Sequence, residues 1–120
     1  MQYALMFYEN PSEFAKRAGA PETEAYWASW MAYSQAARES GVLQGGQALE
    51  PPGMSTALRL KSGAKNVQDG PIADTKEQLG GFFIIDVPNL DDALEWAAKA
   101  PCAGNGGVEV RPVMAGPSDG

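Results

Sequence analysis

The sequence predicts an α+β domain in which two helices cover one face of an antiparallel sheet, with the elements in β-α-β-β-α-β order. Three observations predict it: short segments of alternating apolar and polar residues, two segments with helical periodicity, and clusters of turn-forming residues between them. A chain of 120 residues is expected to form one domain. We therefore take residues 1–120 as a single unit with a flexible tail at about 115–120.

Local signals place the individual elements. Asn10-Pro11 is a helix cap followed by proline at the first helical position, and Asn89 caps a second helix that begins with two acids. Gly41 ends the longer helix. The predicted elements are a strand at 2–8, a short helical turn after Asn10, a helix at 21–40, strands at 42–49, 56–61 and 66–69, a strand at 82–87, a helix from Asn89 to Pro101, and a strand at 108–113. This is the ferredoxin-like order.

Each helix has an apolar stripe that we assign to the core. In the longer helix the stripe is unusually aromatic, with Trp27, Trp30 and Tyr33 among its members. The alternative is that part of this face meets a partner chain. The residues expected on the buried side of the shorter helix are Leu90, Ala93, Leu94, Ala97 and Ala98.

The residue types exclude several classes of function. The chain has no histidine, which removes Ser-His-Asp and Cys-His catalysis and the commonest transition-metal ligand. Cys102 is the single cysteine, so we expect a structural thiol, no intrachain disulfide and no thiolate metal cluster. Any metal would have to be a hard ion held by carboxylates and carbonyls, and we predict no metal site. A net charge of −6 argues against nucleic acid and anionic membranes as partners. No apolar run approaches the roughly 20 residues of a membrane span, and residues 1–10 lack the pattern of a signal peptide, so we expect a cytoplasmic protein.

One face of the sheet is not covered by helices, and its residues can be inferred from strand alternation. This face is expected to carry Arg59 on the third strand, Asp86 beside Phe82 and Ile84, and Glu109 and Arg111 on the last strand. A face that mixes aromatic and charged side chains favours a homodimer packed sheet to sheet, with the charges enclosed in a shared cavity. The alternative is that these are solvated surface charges.

The segment at 69–82 is the most informative motif. It contains Asp69-Gly70-Pro71, Thr75-Lys76-Glu77 and Leu79-Gly80-Gly81, and the next strand ends in Asp86-Val87-Pro88. With these motifs, and with the Met1–Tyr8 opening and the Val108–Pro112 ending, nearly the whole chain resembles the DGPF group of the YCII-related family. One departure is Ile72, which stands where the group has phenylalanine.

The resemblance implies a ferredoxin-like fold and a dimer of the α/β-barrel type. It says less about activity, because most DGPF proteins have none established. Relatives in the wider family resemble small enzymes with a suspected His and Asp pair, and this chain lacks the histidine. Members are often encoded near, or fused to, extracytoplasmic-function sigma factors, which implies a regulatory or accessory setting.

The motif residues have two interpretations. Asp69 can fix the Gly-Pro turn through its side chain, which is a structural role. Alternatively, Asp69 or Glu77 acts as an acid or base, while Lys76 or Arg111 binds an anion. The predicted ligand-binding residues are Arg59, Asp69, Lys76, Glu77, Asp86, Glu109 and Arg111, with Asp69 and Glu77 as the catalytic candidates.

Three functions remain open, and none of them needs a cofactor. The favoured hypothesis is a homodimer that binds a small polar molecule in the cavity between two sheets. The second is a non-catalytic accessory protein that offers Trp27, Trp30 and Tyr33 to a sigma-factor-type regulator. The third is a cofactor-free enzyme that uses carboxylate acid/base chemistry.

Overall fold

The computed structural model describes residues 1–116. Two helices and four of the strands form the predicted arrangement of a helical layer on an antiparallel sheet. The bounds of the elements agree with those predicted from the sequence to within a few residues. The elements are β1 Gln2–Glu9, α1 Pro11–Phe14, α2 Thr23–Glu39, β2 Leu43–Ala48, β3 Thr56–Lys61, β4 Ala64–Asp69, β5 Gln78–Asp86, α3 Leu90–Ala98 and β6 Gly107–Pro112. Single 3-10 turns lie at Ala15–Arg17 and Pro52–Met54. Residues 117–120 of the predicted tail lie outside the described residues.

Within the described residues the main sheet has the order β2-β5-β1-β6, and every neighbouring pair is antiparallel. With α2 and α3 as the two connecting helices, this is the ferredoxin-like topology predicted from the sequence. Alternate residues of β1 from Tyr3 to Glu9 are buried, while those between them are half-buried on the opposite side. The sheet therefore has one face covered by helices and one uncovered face, as expected.

The hairpin formed by β3 and β4 is an insertion between β2 and β5. It forms a separate two-stranded sheet, paired from Thr56 opposite Asp69 to Lys61 opposite Ala64. The prediction that Arg59 lies on the main sheet was therefore wrong, although the strand itself was correctly predicted. The physical reason is that β5 pairs directly with β2, so that β3 pairs with β4 outside the main sheet.

The core lies between the main sheet and the two helices, and it is centred on Leu5 and Ile85, both fully buried. Tyr33 of α2 stacks on Phe83 at 5.3 Å, and its hydroxyl donates to the carbonyl oxygen of Trp96 at 2.8 Å. This bond joins the two helices across the core.

The buried side of α3 differs from the prediction. Ala93 and Ala97 are buried, whereas Leu90 and Leu94 are about half exposed and Ala98 is exposed. Small side chains let the helix backbone lie close to the sheet, and the leucines are turned outward as a result. Across residues 1–116 none of the helices has the length and apolar character needed to cross a membrane.

Candidate functional site

Glu9 is a buried carboxylate on the helix-covered side of the sheet. The alternation of β1 continues from Tyr3, Leu5 and Phe7 to Glu9, which places the acid on the core side at the end of the strand. Its side chain is 2% exposed, and it is the buried charged residue of the described chain. A carboxylate buried this deeply requires matched partners.

Tyr26 and Arg17 are those partners. The Tyr26 hydroxyl lies 2.8 Å from both carboxylate oxygens of Glu9, and Arg17 Nη2 lies 3.3 Å from Glu9 Oε1. Arg17 Nε also donates to the Tyr26 oxygen at 3.1 Å, so the tyrosine proton is directed to the carboxylate. We call these three residues the Glu9 cluster.

Arg17 joins the cluster to the end of the sheet. Its Nη2 donates to the carbonyl oxygen of Gly80 at 3.0 Å, and its Nη1 donates to that of Leu49. The guanidinium lies over the rings of Phe14 at 4.9 Å and Trp27 at 5.6 Å. Of its five N–H groups, these bonds leave one Nη1 hydrogen available to a further acceptor.

Gly80 provides the space that the cluster occupies. A Cβ atom at this position would lie 2.9 Å from both Arg17 Nη2 and Glu9 Oε1. At Gly81 a Cβ would lie 2.8 Å from the carbonyl oxygen of Gln47, on the neighbouring strand. The two glycines of the Leu79-Gly80-Gly81 motif therefore permit close approach, and Gly80 does so for charged side chains.

The electrostatics of the cluster keep Tyr26 neutral. Burial, more than any other cause, raises the pKa of Tyr26 to about 12, and the Glu9 carboxylate acts in the same direction. The phenol therefore remains a hydrogen-bond donor at neutral pH. Because the charges of Arg17 and Glu9 offset each other, the cluster presents no net charge to its surroundings.

A cavity of about 260 Å³ lies beside the cluster, between α2 and the β2–β5 end of the sheet. Five aromatic side chains line it, and glycine backbone of β2 and β5 forms part of its floor. The lining residues include Phe7, Trp27, Trp30, Phe83, Met31, Ser34, Gly46, Gln47, Ala48, Gly80 and Gly81, together with the Glu9 cluster. A cavity of this composition can hold a small, flat and mostly apolar molecule.

The predicted site residues lie elsewhere. Lys76, Glu77 and Glu109 line a broad, open depression together with Tyr8. Arg111 forms an ion pair with Glu109 on the uncovered face, where both side chains are well exposed. The sequence thus correctly predicted the face of Glu109 and Arg111.

Asp86, Asp69 and Arg59 line neither the cavity nor the depression. Asp86 lies on the uncovered face opposite Gln2 and pairs with the N-terminal amine at 2.9 Å. Asp69 ends β4, and the amide of the next residue, Gly70, closes the base of the hairpin by donating to the carbonyl oxygen of Ser55 at 2.7 Å. Gly70 has φ +100°, a conformation that glycine adopts readily, so the backbone explains this turn.

The aromatic stripe of α2 serves mainly the core. Tyr33 is 6% exposed, as expected of a core residue and unlike the alternative in which it is offered to a partner chain, whereas Trp27 and Trp30 are half-buried and line the cavity. Within residues 1–116 no three Asp, Glu or Cys side chains come together in a way that would hold a metal ion.

Sequence reasoning missed all three members of the Glu9 cluster. One signal was available: Glu9 occupies the next core-facing position after Tyr3, Leu5 and Phe7, and an acid at such a position requires a partner. Arg17 and Tyr26 carried no comparable signal. They meet Glu9 only because the short α1 and the start of α2 fold back over the end of the sheet.

Fold and site together define a two-layer α+β domain with a buried ion pair and an aromatic cavity under its long helix. The chain belongs to the YCII-related domain family, whose model matches residues 1–115, as its motifs led us to expect. It is 36% identical over 115 residues to an uncharacterised protein of Rhizobium meliloti, a match covering 94% of this chain and 92% of that protein.

The structure is also similar to that of 5-chloro-2-hydroxyhydroquinone dehydrochlorinase from Burkholderia phenoliruptrix, solved in complex with 2,5-dihydroxybenzoquinone. The TM-score is 0.57, the sequence identity is 17%, and the match covers 100% of both chains. At this identity the likeness establishes the shared fold.

Proposed function

We propose that this protein binds a small, planar, hydroxylated ring compound in the cavity under α2. The observation that carries the proposal is the cavity itself, about 260 Å³ with Phe7, Trp27, Trp30 and Phe83 in its walls. Aromatic walls favour flat ligands through stacking and edge contacts. The fold relative was solved with a dihydroxybenzoquinone, a molecule of this shape, which supports the choice of ligand class.

The polar groups of the cavity favour an uncharged ligand with hydroxyl groups. Arg17 and Glu9 already neutralise each other, so an ion entering the cavity would find no unpaired opposite charge. The remaining Nη1 hydrogen of Arg17 and the hydroxyl of Ser34 are suited to bind ligand oxygens. This class is narrower than the small polar molecule expected from the sequence, and its site is on the opposite face of the sheet.

We also propose that two copies pack through the uncovered face. On this face Met6 lies opposite both Phe82 and Glu109, while Ala4 lies opposite Ile84 and Arg111. Apolar side chains therefore occupy the middle, and the Glu109–Arg111 pair lies to one side. Sheet-to-sheet packing would cover the apolar part. The predicted ligand contacts of a cavity shared by the two copies remain Asp69, Lys76, Glu77, Asp86, Glu109 and Arg111.

Membership of the DGPF group is part of the proposal. It is supported by the motifs Asp69-Gly70-Pro71 and Leu79-Gly80-Gly81. Gly70 has the positive φ angle described above, and Gly80 provides the space that the Glu9 cluster occupies.

Thermal stability in the presence of small ring compounds tests the binding site. We expect resorcinol, an uncharged phenol at neutral pH, to raise the melting temperature, and cyclohexane-1,3-diol to have no effect because its ring is not flat. Ser34→Leu should fill part of the cavity and abolish the resorcinol effect, whereas Ala36→Leu, at an exposed position of α2 outside the cavity, should retain it. If resorcinol raised the melting temperature of both variants equally, the ligand would bind outside this cavity.

A further inference from the structure

The β3–β4 hairpin packs mainly on itself. Its base is closed by the Gly70 amide, which donates to the carbonyl oxygen of Ser55, and its strands pair with no strand of the main sheet. A two-stranded hairpin alone in water is marginally stable, because it has no layer to cover its apolar side. This hairpin therefore requires packing that its own chain does not provide.

One face of the hairpin exposes three apolar side chains, with Lys65 on the same face opposite Leu60. Leu58 lies directly opposite Val67, and Leu60 follows on the same side of β3. Leu58 is 52% exposed, Val67 is 59% exposed and Leu60 is 68% exposed. We call them the hairpin strip. Such a cluster on a protruding element is typical of an interaction surface.

The hairpin also differs in charge from the rest of the molecule. Arg59, Lys61 and Lys65 against Asp69 give residues 56–69 a net charge of +2. The remaining six cations and fourteen carboxylates of the chain sum to −8. A basic arm on an acidic body is attracted to another acidic body, and a second copy of this chain is such a body.

We propose that the hairpin is an arm that clasps a second copy of this chain, with the hairpin strip lying on that copy's acidic body. The inference extends the proposed homodimer and depends on it, but it is independent of the ring-binding cavity.

Sedimentation equilibrium of the full chain tests the arm. Leu58→Ser/Leu60→Ser should weaken the dimer at least ten-fold, while Ala57→Ser/Gln68→Ser, on the opposite hairpin face, should leave the dissociation constant unchanged. Lys61→Glu/Lys65→Glu should also weaken the dimer, since it reverses the charge of the arm. Circular dichroism would check that the body of each variant remains folded.

Ile84→Lys, on the uncovered face, separates the two proposals. If this variant is monomeric and the Leu58→Ser/Leu60→Ser dimer is as tight as wild type, the arm is overturned while the sheet-to-sheet dimer stands. If wild-type protein is monomeric throughout the micromolar range, both the arm and the dimer are overturned, and ring binding is unaffected.

Trypsin gives an independent readout, because the hairpin contains three of its cleavage sites, at Arg59, Lys61 and Lys65. We expect the fraction of wild-type chains cut in the hairpin to fall at least five-fold as the concentration rises through the dissociation constant. The Leu58→Ser/Leu60→Ser variant should be cut at the same rate at every concentration. A wild-type cleavage rate that does not depend on concentration would also overturn the arm.

Discussion

The Tyr26 hydroxyl lies 2.8 Å from each of the two carboxylate oxygens of Glu9, a residue that is only 2% exposed. This contact fixes the start of α2 against the end of β1. It also positions Arg17, which bonds to both residues and to the carbonyl oxygens of the sheet end. One wall of the cavity therefore depends on a hydrogen-bonded ion pair.

Replacing Glu9 tests how much this pair stabilises the fold. Glu9→Gln removes the charge and leaves the largely buried Arg17 without its counter-ion, so we expect a loss of about 3 kcal/mol in the free energy of unfolding. Urea denaturation would measure it. Glu13→Gln is the matched control, because Glu13 pairs with Lys16 at a more exposed position. A loss below about 1 kcal/mol for Glu9→Gln would contradict the assigned role.

Gly80→Ala tests the space around the cluster. The added methyl group would lie 2.9 Å from Arg17 Nη2 and from Glu9 Oε1, forcing apart a pair held by hydrogen bonds. We expect a destabilisation of about 1–3 kcal/mol, in the range of overpacked cores. Gly104→Ala has open space around its Cβ and should stay within about 1 kcal/mol of wild type. Similar losses for both variants would show that Gly80 has no special packing role.

Alkaline pH should destabilise the protein through Tyr26. Burial raises its pKa from 10 to about 12 in the folded state, so the folded state holds the phenol proton more tightly. This contribution to stability is complete below pH 10 and is lost as the pH rises through 12. Tyr26→Phe should therefore show a smaller decline in unfolding free energy between pH 10 and 12 than wild type. An equal decline would assign the effect to other groups.

The thiol of Cys102 should be inert in the folded protein. Cys102 is 1% exposed, and burial is the main cause that raises its pKa to about 12, so the reactive thiolate is scarce at neutral pH. We expect reaction with a disulfide reagent at pH 7.5 at least a hundred-fold slower than in urea-unfolded protein. Comparable rates in the two states would show that the segment around Cys102 opens readily.

The sequence predicted those parts of the fold that depend on local signals. Asn10 and Asn89 cap helices with their side chains as expected, accepting from the amides of Glu13 and Asp92. Strand alternation correctly placed Asp86 and Arg111 on the uncovered face. In each case the signal lies within a few residues of the element that it defines.

The remaining features depend on contacts between distant segments. Arg59 was assigned to the main sheet because its strand has the right pattern, but the pattern does not specify which strand is its neighbour. Leu90 was expected in the core because it is apolar, yet the close packing of Ala93 and Ala97 turns it outward. The cluster of Glu9 with Arg17 and Tyr26 likewise forms across gaps of 8 and 17 residues that no local motif connects.

Ring binding under α2 is tested most directly by the indole N–H signals of the three tryptophans in a ¹⁵N-labelled sample. Trp27 and Trp30 line the cavity, whereas Trp96 lies outside it and serves as an internal control. On titration with resorcinol we predict saturable chemical-shift changes of the Trp27 and Trp30 signals and no change of the Trp96 signal. Unmoved Trp27 and Trp30 signals at millimolar resorcinol, or equal shifts of all three, would contradict binding in this cavity.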